Sequence, residues 1–600
     1  MTRGRDGLYA SAYPRMGSSI YLALGLVAIH GLGLTPVALL VAGLVFAAVA
    51  ACYAEGVSMF PEAGGSAAFA REGFNELVSF FTGWAMCLAL IAITSLAALF
   101  VPHYLSVFWA PLATQPWDVV GGLVVIGVVA AANVRGLEWS AGVSAFLGLV
   151  GLVVQALLVI LGAIFIFRPG QITQSVHLGT APSLEQLILA CAVAMVAYTG
   201  IDTIGEMAAE ARDPDRDLPR ATTGVLGSVV TLCVALSLIG MMAMPVPSHG
   251  DVAHPALGIV SRLPLHVFSN GLGYVVGLLA AVMLLVTADA AVTSLSRLTT
   301  WLAQHHQLPA RAAELHPVYE TPYVAIACAA VAAAALVLVQ SGAGGMSFLA
   351  GTYVYGALIA FTSVQVTIVA MRWRDPARYR PFEVPLNVPI DGRRIPVLAI
   401  LGALATAAAW MVVVLLEPGP RFLGSAWILV GLAGYAAYRR RRGLTLTEFT
   451  RRDLSQHAAP GIAVEFRTIL IPVNTDQADL PADVVEVAAH LAAERRPSLV
   501  LLAFTQIPLS EEMDMEIDDL EADVERLAGQ ARAIGEQYGI RVHTTHLRTR
   551  DPADSILAEA TRRDSQVILL RATSLDRIAR RIMAEAKQRV MIVQPERAGA

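Results

Sequence analysis

Residues 187–220 read LILACAVAMVAYTGIDTIGEMAAEARDPDRDLPR. The stretch begins as an unbroken apolar run, passes through Tyr198, Thr199 and Gly200, and then gathers nine charged residues. A helix that starts in lipid and ends in water accounts for both halves, and the rest of the chain favours that reading. Of 600 residues, 56 % are hydrophobic and 15 % are charged, whereas a soluble protein carries about a quarter of its residues as charged. The composition is that of a membrane protein embedded in a lipid bilayer. The formal net charge of -5 says little about partners because the charges cluster in loops and at the C-terminal end, and nothing calls for nucleic acid.

A membrane span needs about 20 mostly apolar residues. Runs of that kind lie near 16–30, 36–53, 74–100, 118–133, 141–167, 185–208, 221–243, 268–291, 323–341, 346–371, 395–415 and 423–438, twelve in all. Arginines gather at Arg212, Arg216 and Arg220, at Arg297, at Arg372, Arg374, Arg378 and Arg380, at Arg393 and Arg394, and from Arg439 to Arg442. With twelve spans these all fall on one side, while the loops opposite hold only Arg168, Arg262 and Arg421. Positive charge marks the cytoplasmic side, so both termini are expected there, in a cell inner (plasma) membrane. The five cysteines stand singly in apolar runs and read as small buried hydrophobes, neither a metal site nor a disulfide frame. The N-terminus lacks a compact apolar core with a small-residue cleavage site, so no cleaved signal peptide is expected.

After Arg442 the composition changes. Residues 443–465 read as a linker and 466–600 as a soluble domain. Strand-like runs at 468–473, 499–504, 540–547, 566–570 and 590–595 alternate with helical patterns at 481–495, 511–538, 552–563 and 575–587. That alternation predicts an α/β domain with a parallel sheet covered on both faces.

Two places in the membrane part interrupt helical regularity. Gly17, Ser18 and Ser19 precede the apolar half of span 1, and Thr199 and Gly200 lie inside span 6. Irregular backbone is tolerated at membrane depth where it lines a cavity or is buried in protein. The half-helix after a break presents N–H groups suited to a carboxylate, and the carbonyls before it suit an ammonium group. If each repeat has five spans, span 6 is the counterpart of span 1, and an odd number of spans inverts the second repeat.

At this point the membrane part resembles the superfamily of amino acid, polyamine and organocation permeases, over nearly all of residues 6–440. Gly17-Ser18-Ser19-Ile20-Tyr21 is similar to that family's usual Gly-Ser-Gly-Ile-Phe break in its first helix. Tyr53-Ala54-Glu55, Phe60 to Gly65 and Gly83-Trp84 resemble its segment from span 2 into span 3. Ala209 to Pro214 stands where the family usually ends span 6 with Glu-Glu-x-x-x-Pro, and Ser296-Arg297, Leu308-Pro309, Thr321-Pro322 and Arg380 to Pro385 match further cytoplasmic elements. The resemblance implies a polytopic α-helical fold with a five-plus-five inverted repeat and twelve transmembrane helices. It also implies an amino acid or related small amine bound between the breaks. Carried over by position, the substrate-binding residues are Gly17, Ser18, Ser19 and Ile20 on one side, with Tyr198, Thr199, Gly200 and Asp202 on the other. The domains expected are a transmembrane permease domain, 1–442, the linker 443–465, and the cytoplasmic domain 466–600.

Energy coupling has two readings, a proton or sodium. Many proton-coupled relatives carry a lysine in span 5, and span 5 here has no lysine and offers only Gln155. Asp289, in VMLLVTADAAVTSLSR, is an intramembrane carboxylate and a functional-site hypothesis by default. With Thr293 one turn on, it suits a proton or a coordinated cation, and a proton is favoured. Glu55 and Glu206 are expected to pair with arginines near the cytoplasmic mouth as a gate.

The tail resembles the universal stress protein fold, with 468–473 as its first strand. Relatives that bind ATP keep a glycine-rich phosphate loop, and this chain has no glycine between Gly539 and Gly599. No cofactor is therefore expected, and self-association as a homodimer or regulation of the transporter remain as its roles. No nucleophile–base pair or metal cluster emerges, so the chain is not read as an enzyme. The function read is a proton-coupled secondary active permease for amino acids or related small amines, working by alternating access around broken helices 1 and 6. A sensing membrane protein and a potassium transporter of the same superfamily are the alternatives.

Overall fold

The computed structural model describes residues 5–60, 64–137, 141–166, 182–200, 214–243, 266–319, 321–343, 345–375, 382–390, 393–449, 468–475, 482–491, 498–507, 520–538, 540–563, 565–571, 577–586 and 588–593, with positions 170, 256, 259, 260 and 380. The chain divides into two compact units, one of residues 1–376 and 382–449, the other of 450–600 with 377–381.

In the first unit the apolar segments become helices: α1 (Arg5–Gly17), α2 (Ile20–Gly31), α3 (Thr35–Met59), the short α4 (Ser66–Gly73), α5 (Glu76–Leu105), α6 (Trp117–Val134), α7 (Ala141–Phe165) and α8 (Leu184–Val193). They continue as α9 (Pro214–Ala243), α10 (His266–Gln304), α11 (Tyr323–Ala343), α12 (Met346–Arg374), α13 (Val397–Leu416) and α14 (Pro418–Arg441). Among the described residues nine apolar runs are long enough to cross a membrane, one of them, Leu8–Met59, holding α1 to α3. The short α8 and the less apolar α14 fall outside that count. A small hairpin of β1 (Asn387–Ile390) and β2 (Arg393–Pro396) pairs antiparallel between α12 and α13.

Burial sorts the helices. In α5 94 % of the apolar window is buried, against 22 % in α13, so α5 runs through the middle and α13 along the edge. Edge helices carry apolar stripes at helical spacing, such as Val120, Val124 and Val128 on α6 and Phe146, Leu149, Val153 and Ile160 on α7. Such faces, exposed yet apolar, fit lipid and not water. Local chemistry sets several starts: Asn75 accepts from the Val78 N–H at 3.1 Å ahead of α5, and Ser183 forms a capping box with Gln186 ahead of α8.

The second unit contains β3 (Thr468–Asn474), α15 (Ala482–Leu491), β4 (Ser498–Gln506), α16 (Leu520–Gln537), β5 (Arg541–Thr549), α17 (Pro552–Arg562), β6 (Val567–Arg571), α18 (Arg577–Glu585) and β7 (Arg589–Val593). The strands form one sheet in the order β5-β4-β3-β6-β7, all parallel. Alternate residues serve opposite faces, as period-two geometry requires. Ile469, Ile471, Leu499 and Leu501 pack with Val485 of α15 and Leu527 of α16. Leu470, Val500 and Leu502 pack with Ile556 of α17 and Ile582 of α18. The parallel α/β domain expected from the sequence is thus present; the part of the helical pattern at 511–519 lies outside the described residues.

Candidate functional site

The first break lies between α1, which stops at Gly17, and α2, which starts at Ile20. Across it the backbone tightens to three-residue bonds, from Ser19 N–H to Met16 and from Tyr21 N–H to Ser18, each at 3.1 Å. Side chains take up the carbonyls that this leaves. The Ser18 hydroxyl donates to Arg15 O at 3.1 Å, and the Gln155 amide of α7 donates to Gly17 O at 3.1 Å. Gln155 is itself held by the Tyr13 hydroxyl, which donates to its Oε1 at 2.6 Å.

The second break follows α8. A 3-10 turn, Ala194–Tyr198, leads to an extended Thr199 (φ -60, ψ 153) and to Gly200 at φ +99, a conformation suited to glycine. Gly200 lies against the first break: a methyl group there would stand 3.4 Å from Arg15 O.

The two breaks meet through hydroxyls. Ser19 Oγ and Thr199 Oγ1 are hydrogen-bonded, and Ser18 Oγ is bonded to Thr287 Oγ1 of α10 at 2.5 Å. All four side chains are buried. The Tyr21 hydroxyl, also buried, lies beside the Gln155 side chain without a well-formed hydrogen bond among the described residues, while its carbonyl accepts from Tyr104 at 2.9 Å. The junction is therefore uncharged in its described residues, built from hydroxyls, an amide and backbone. Such a surface can pair with both ends of a zwitterion using backbone dipoles in place of formal charges.

The expected site residues separate into groups. Gly17, Ser18, Ser19, Thr199 and Gly200 converge at the junction, with Gly17 packed on the Tyr13 ring and Ile20 buried at the start of α2. Tyr198 does not reach it through its hydroxyl, which donates to Leu39 O of α3 at 2.6 Å while its ring tilts against Phe46. Asp202 and Glu206 lie outside the described residues. Asp289 and Thr293 are on another face of α10 from Thr287, since two residues turn a helix by about 200°. There Asn133 of α6 donates to Asp289 Oδ1 at 2.7 Å, and the Thr293 hydroxyl donates to Asn133 Oδ1 at 2.9 Å. The three form a half-buried polar cluster between α6 and α10, apart from the breaks. Thr287, Tyr13 and the bridging role of Gln155 were not foreseen; only the polar character of Gln155 and Thr287 within apolar runs hinted at them.

Glu55, near the end of α3, is fully buried and meets Arg372 of α12 in a two-pronged pair, with Arg372 Nε donating to Oε1 at 2.9 Å and Nη2 to Oε2 at 2.6 Å. The Val384 N–H donates to the same Oε2 at 2.7 Å, which ties in the segment before the hairpin. Glu383 extends the network to Arg394 at 3.2 Å. The arginine partner expected for Glu55 is therefore Arg372, buried with it.

Comparison with known proteins agrees with these two units. Residues 7–438 match the family described as amino acid permease, and residues 465–593 match the universal stress protein family. The chain is 26 % identical over 447 residues to the methylthioribose transporter of Bacillus subtilis (strain 168), covering 72 % of this chain and 91 % of that one. It is 25 % identical over 447 residues to the branched-chain amino acid permease BcaP of the same organism, covering 71 % and 90 %. Similarity to the cationic amino acid transporter 3, mitochondrial, of Arabidopsis thaliana is 25 % over 398 residues, covering 62 % of this chain and 61 % of that one.

Proposed function

Since the chain belongs to the amino acid permease family, within the amino acid–polyamine–organocation superfamily, we propose that it is a secondary active transporter of an amino acid or related small amine. The observation that carries this reading is the meeting of the two breaks through the Ser19–Thr199 and Ser18–Thr287 hydroxyl pairs. Buried hydroxyls that bond one another can exchange those bonds for a ligand's at little net cost, and the Tyr21 hydroxyl, without a well-formed bond among the described residues, would gain one. We take Gly17, Ser18, Ser19, Ile20, Thr199, Gly200 and Asp202 as the lining of that site, with Thr287 and Tyr21 added and Tyr198 as support for the second break.

In this reading the helices form a five-plus-five inverted repeat within twelve spans, alternating access around the two breaks. The arginine-rich end, with both termini, faces the cytoplasm of a cell whose plasma membrane holds the protein. Transport is coupled to a proton at Asp289, whose carboxyl accepts from Asn133 at membrane depth, while Thr293 donates to the Asn133 amide oxygen and to the Asp289 backbone carbonyl. The Glu55–Arg372 pair serves as a latch at the cytoplasmic end, and Glu206, after the second break in sequence, is taken as a second gating residue. The universal stress protein domain, as a homodimer contact or a regulator, acts on the transporter and not on the substrate.

The relatives carry different solutes by name, so the substrate is to be found by trial. Purified full-length protein in proteoliposomes, offered a panel of labelled amino acids and amines with and without an inward proton gradient, tests the proposal. Uptake of at least one member, increased by the gradient, is expected, and Asp289→Asn is expected to abolish the gradient's effect. Gradient-driven uptake unchanged in Asp289→Asn would move the coupling site elsewhere.

A further inference from the structure

At the arginine-rich end of the bundle, residues 443–449, which follow the Arg442 cap of α14, are fastened more firmly than the end of a helix requires. Gly443, at φ +70, turns the chain back, and the Leu444 and Gly443 N–H groups return to Arg439 O and Arg440 O at 3.0 and 3.1 Å. The Arg439 side chain, fully buried, then reaches into the returning segment. Its Nε and Nη2 donate to Thr445 O at 3.0 and 2.7 Å, and Nη2 donates to Glu448 O at 2.5 Å. The Tyr435 hydroxyl donates to Leu446 O at 2.7 Å. Guanidinium donors given to the carbonyls of a surface segment hold it in one path.

That path ends on another element. The Phe449 ring lies 5.2 Å from the Arg71 guanidinium of α4. Arg71 in turn donates to Glu76 Oε1 at 2.8 Å, at the start of α5. The second oxygen of Glu76 accepts from Gln307, just past α10, and Gln307 also donates to Ser79 at 3.0 Å.

The helix so held is a wedge. Phe69 of α4 meets the Tyr53 ring of α3 edge-on at 5.9 Å. Close glycine contacts join the same region to its neighbours: Gly64 to Trp301 of α10, Gly73 to Thr367 of α12, and Gly83 of α5 to Ala67 and Leu302. Moving α4 therefore disturbs α3, α5, α10 and α12 together, and α10 is the helix that brings Thr287 to Ser18.

The fastening has a strong root and a weak catch. Arg439 is buried and gives three bonds to the returning segment, whereas Phe449 is 54 % exposed and, among the described residues, rests on Arg71 through a cation–π contact. Phe449 is also the last residue of the first unit. We propose that residues 443–449 are a clasp that keeps the arginine-rich end of the bundle shut, and that release of Phe449 from Arg71 opens it. The permease reading enters only in what the opening exposes.

Cys52 reports the opening. It is buried on α3, about one turn before Glu55, while Cys233 is buried on α9, away from the wedge. The full chain and Phe449→Ala are placed in nanodiscs, exposed to a hydrophilic maleimide, and the label at each cysteine is measured by mass spectrometry of its peptides. Phe449→Ala is expected to label at Cys52 at least fivefold faster than the native chain, with Cys233 unchanged. An unchanged rate at Cys52, or an equal rise at both cysteines, would overturn the clasp. No substrate enters the assay, so failure to find a transported amino acid leaves its result standing.

Discussion

At the first break, two carbonyls that lose their helical bonds are met by side chains, and one of these comes from a distant helix. Gln155 satisfies Gly17 O and the Tyr13 hydroxyl together. Gln155→Leu strands both, at about 1–3 kcal/mol for each buried group, and a clearly lowered melting temperature in a thermal-shift assay is the expected result. Gly200→Ala places a side chain at φ +99 and a methyl group 3.4 Å from Arg15 O, with a backbone cost of about 1–2 kcal/mol. A tenfold or greater loss of substrate affinity is expected there, while Gly227→Ala, whose added carbon meets open space, serves as the control. Ser18, Ser19, Thr199 and Gly200 were legible in the sequence because small and hydroxylic residues interrupt apolar runs. Thr287 and Gln155 were not, because they complete the break from 269 and 138 residues away, in registers that periodicity does not reveal. Asp289 drew attention as a carboxylate at membrane depth, and only the packing of α6 on α10 shows that its partner is Asn133.

Among the elements, the latch between α3 and α12 has the largest stake in one contact. Glu55→Ala removes the buried two-pronged partner of Arg372 and leaves it the half-exposed Glu383 at 3.5 Å; breaking a buried pair typically costs about 3–5 kcal/mol. The double variant Glu55→Leu with Arg372→Met is expected to recover much of that loss, since apolar replacement of a buried pair is often neutral; melting curves of the three proteins check both statements. In the C-terminal domain, α17 carries a different pair. Arg562 and then Arg563 donate to Glu559, each at 2.6 Å, and hold its carboxyl below the usual range. A depressed acid stabilises the fold above its unfolded value, about 4.3, and that contribution disappears as the pH falls through the lower folded value. Hydrogen exchange in 552–563 is therefore expected to quicken as the pH drops below about 4, after correction for intrinsic exchange. Glu559→Gln should flatten that dependence. The elements themselves were largely readable: strand alternation located the parallel sheet, and apolar length located the membrane helices. The short α4 was not foreseen, because eight residues containing Arg71 and Glu72 carry no span signal.

For the molecule as a whole, family membership and the physical reading describe the same two parts, a permease bundle and a universal-stress-protein-like domain. The compact bundle runs on to Phe449, past the boundary at Arg442 that the shift in composition suggested. Composition registers the end of the apolar span, whereas the clamp on residues 443–449 depends on where Arg439 and Tyr435 point. Substrate identity was legible in neither, since a junction of hydroxyls and backbone, on the proposed reading, would meet the common part of an amino acid before its side chain. The central claim, that the paired breaks bind and carry a small amine-bearing solute, is tested most directly by counterflow. Proteoliposomes holding the full chain are loaded with one unlabelled amino acid or amine at a time and challenged with its labelled form. The account predicts exchange for at least one compound in the panel, with at least a tenfold loss of apparent affinity in Gly200→Ala. Exchange unaltered in both Gly200→Ala and Ser19→Ala, or no exchange of any compound by folded protein, would contradict it.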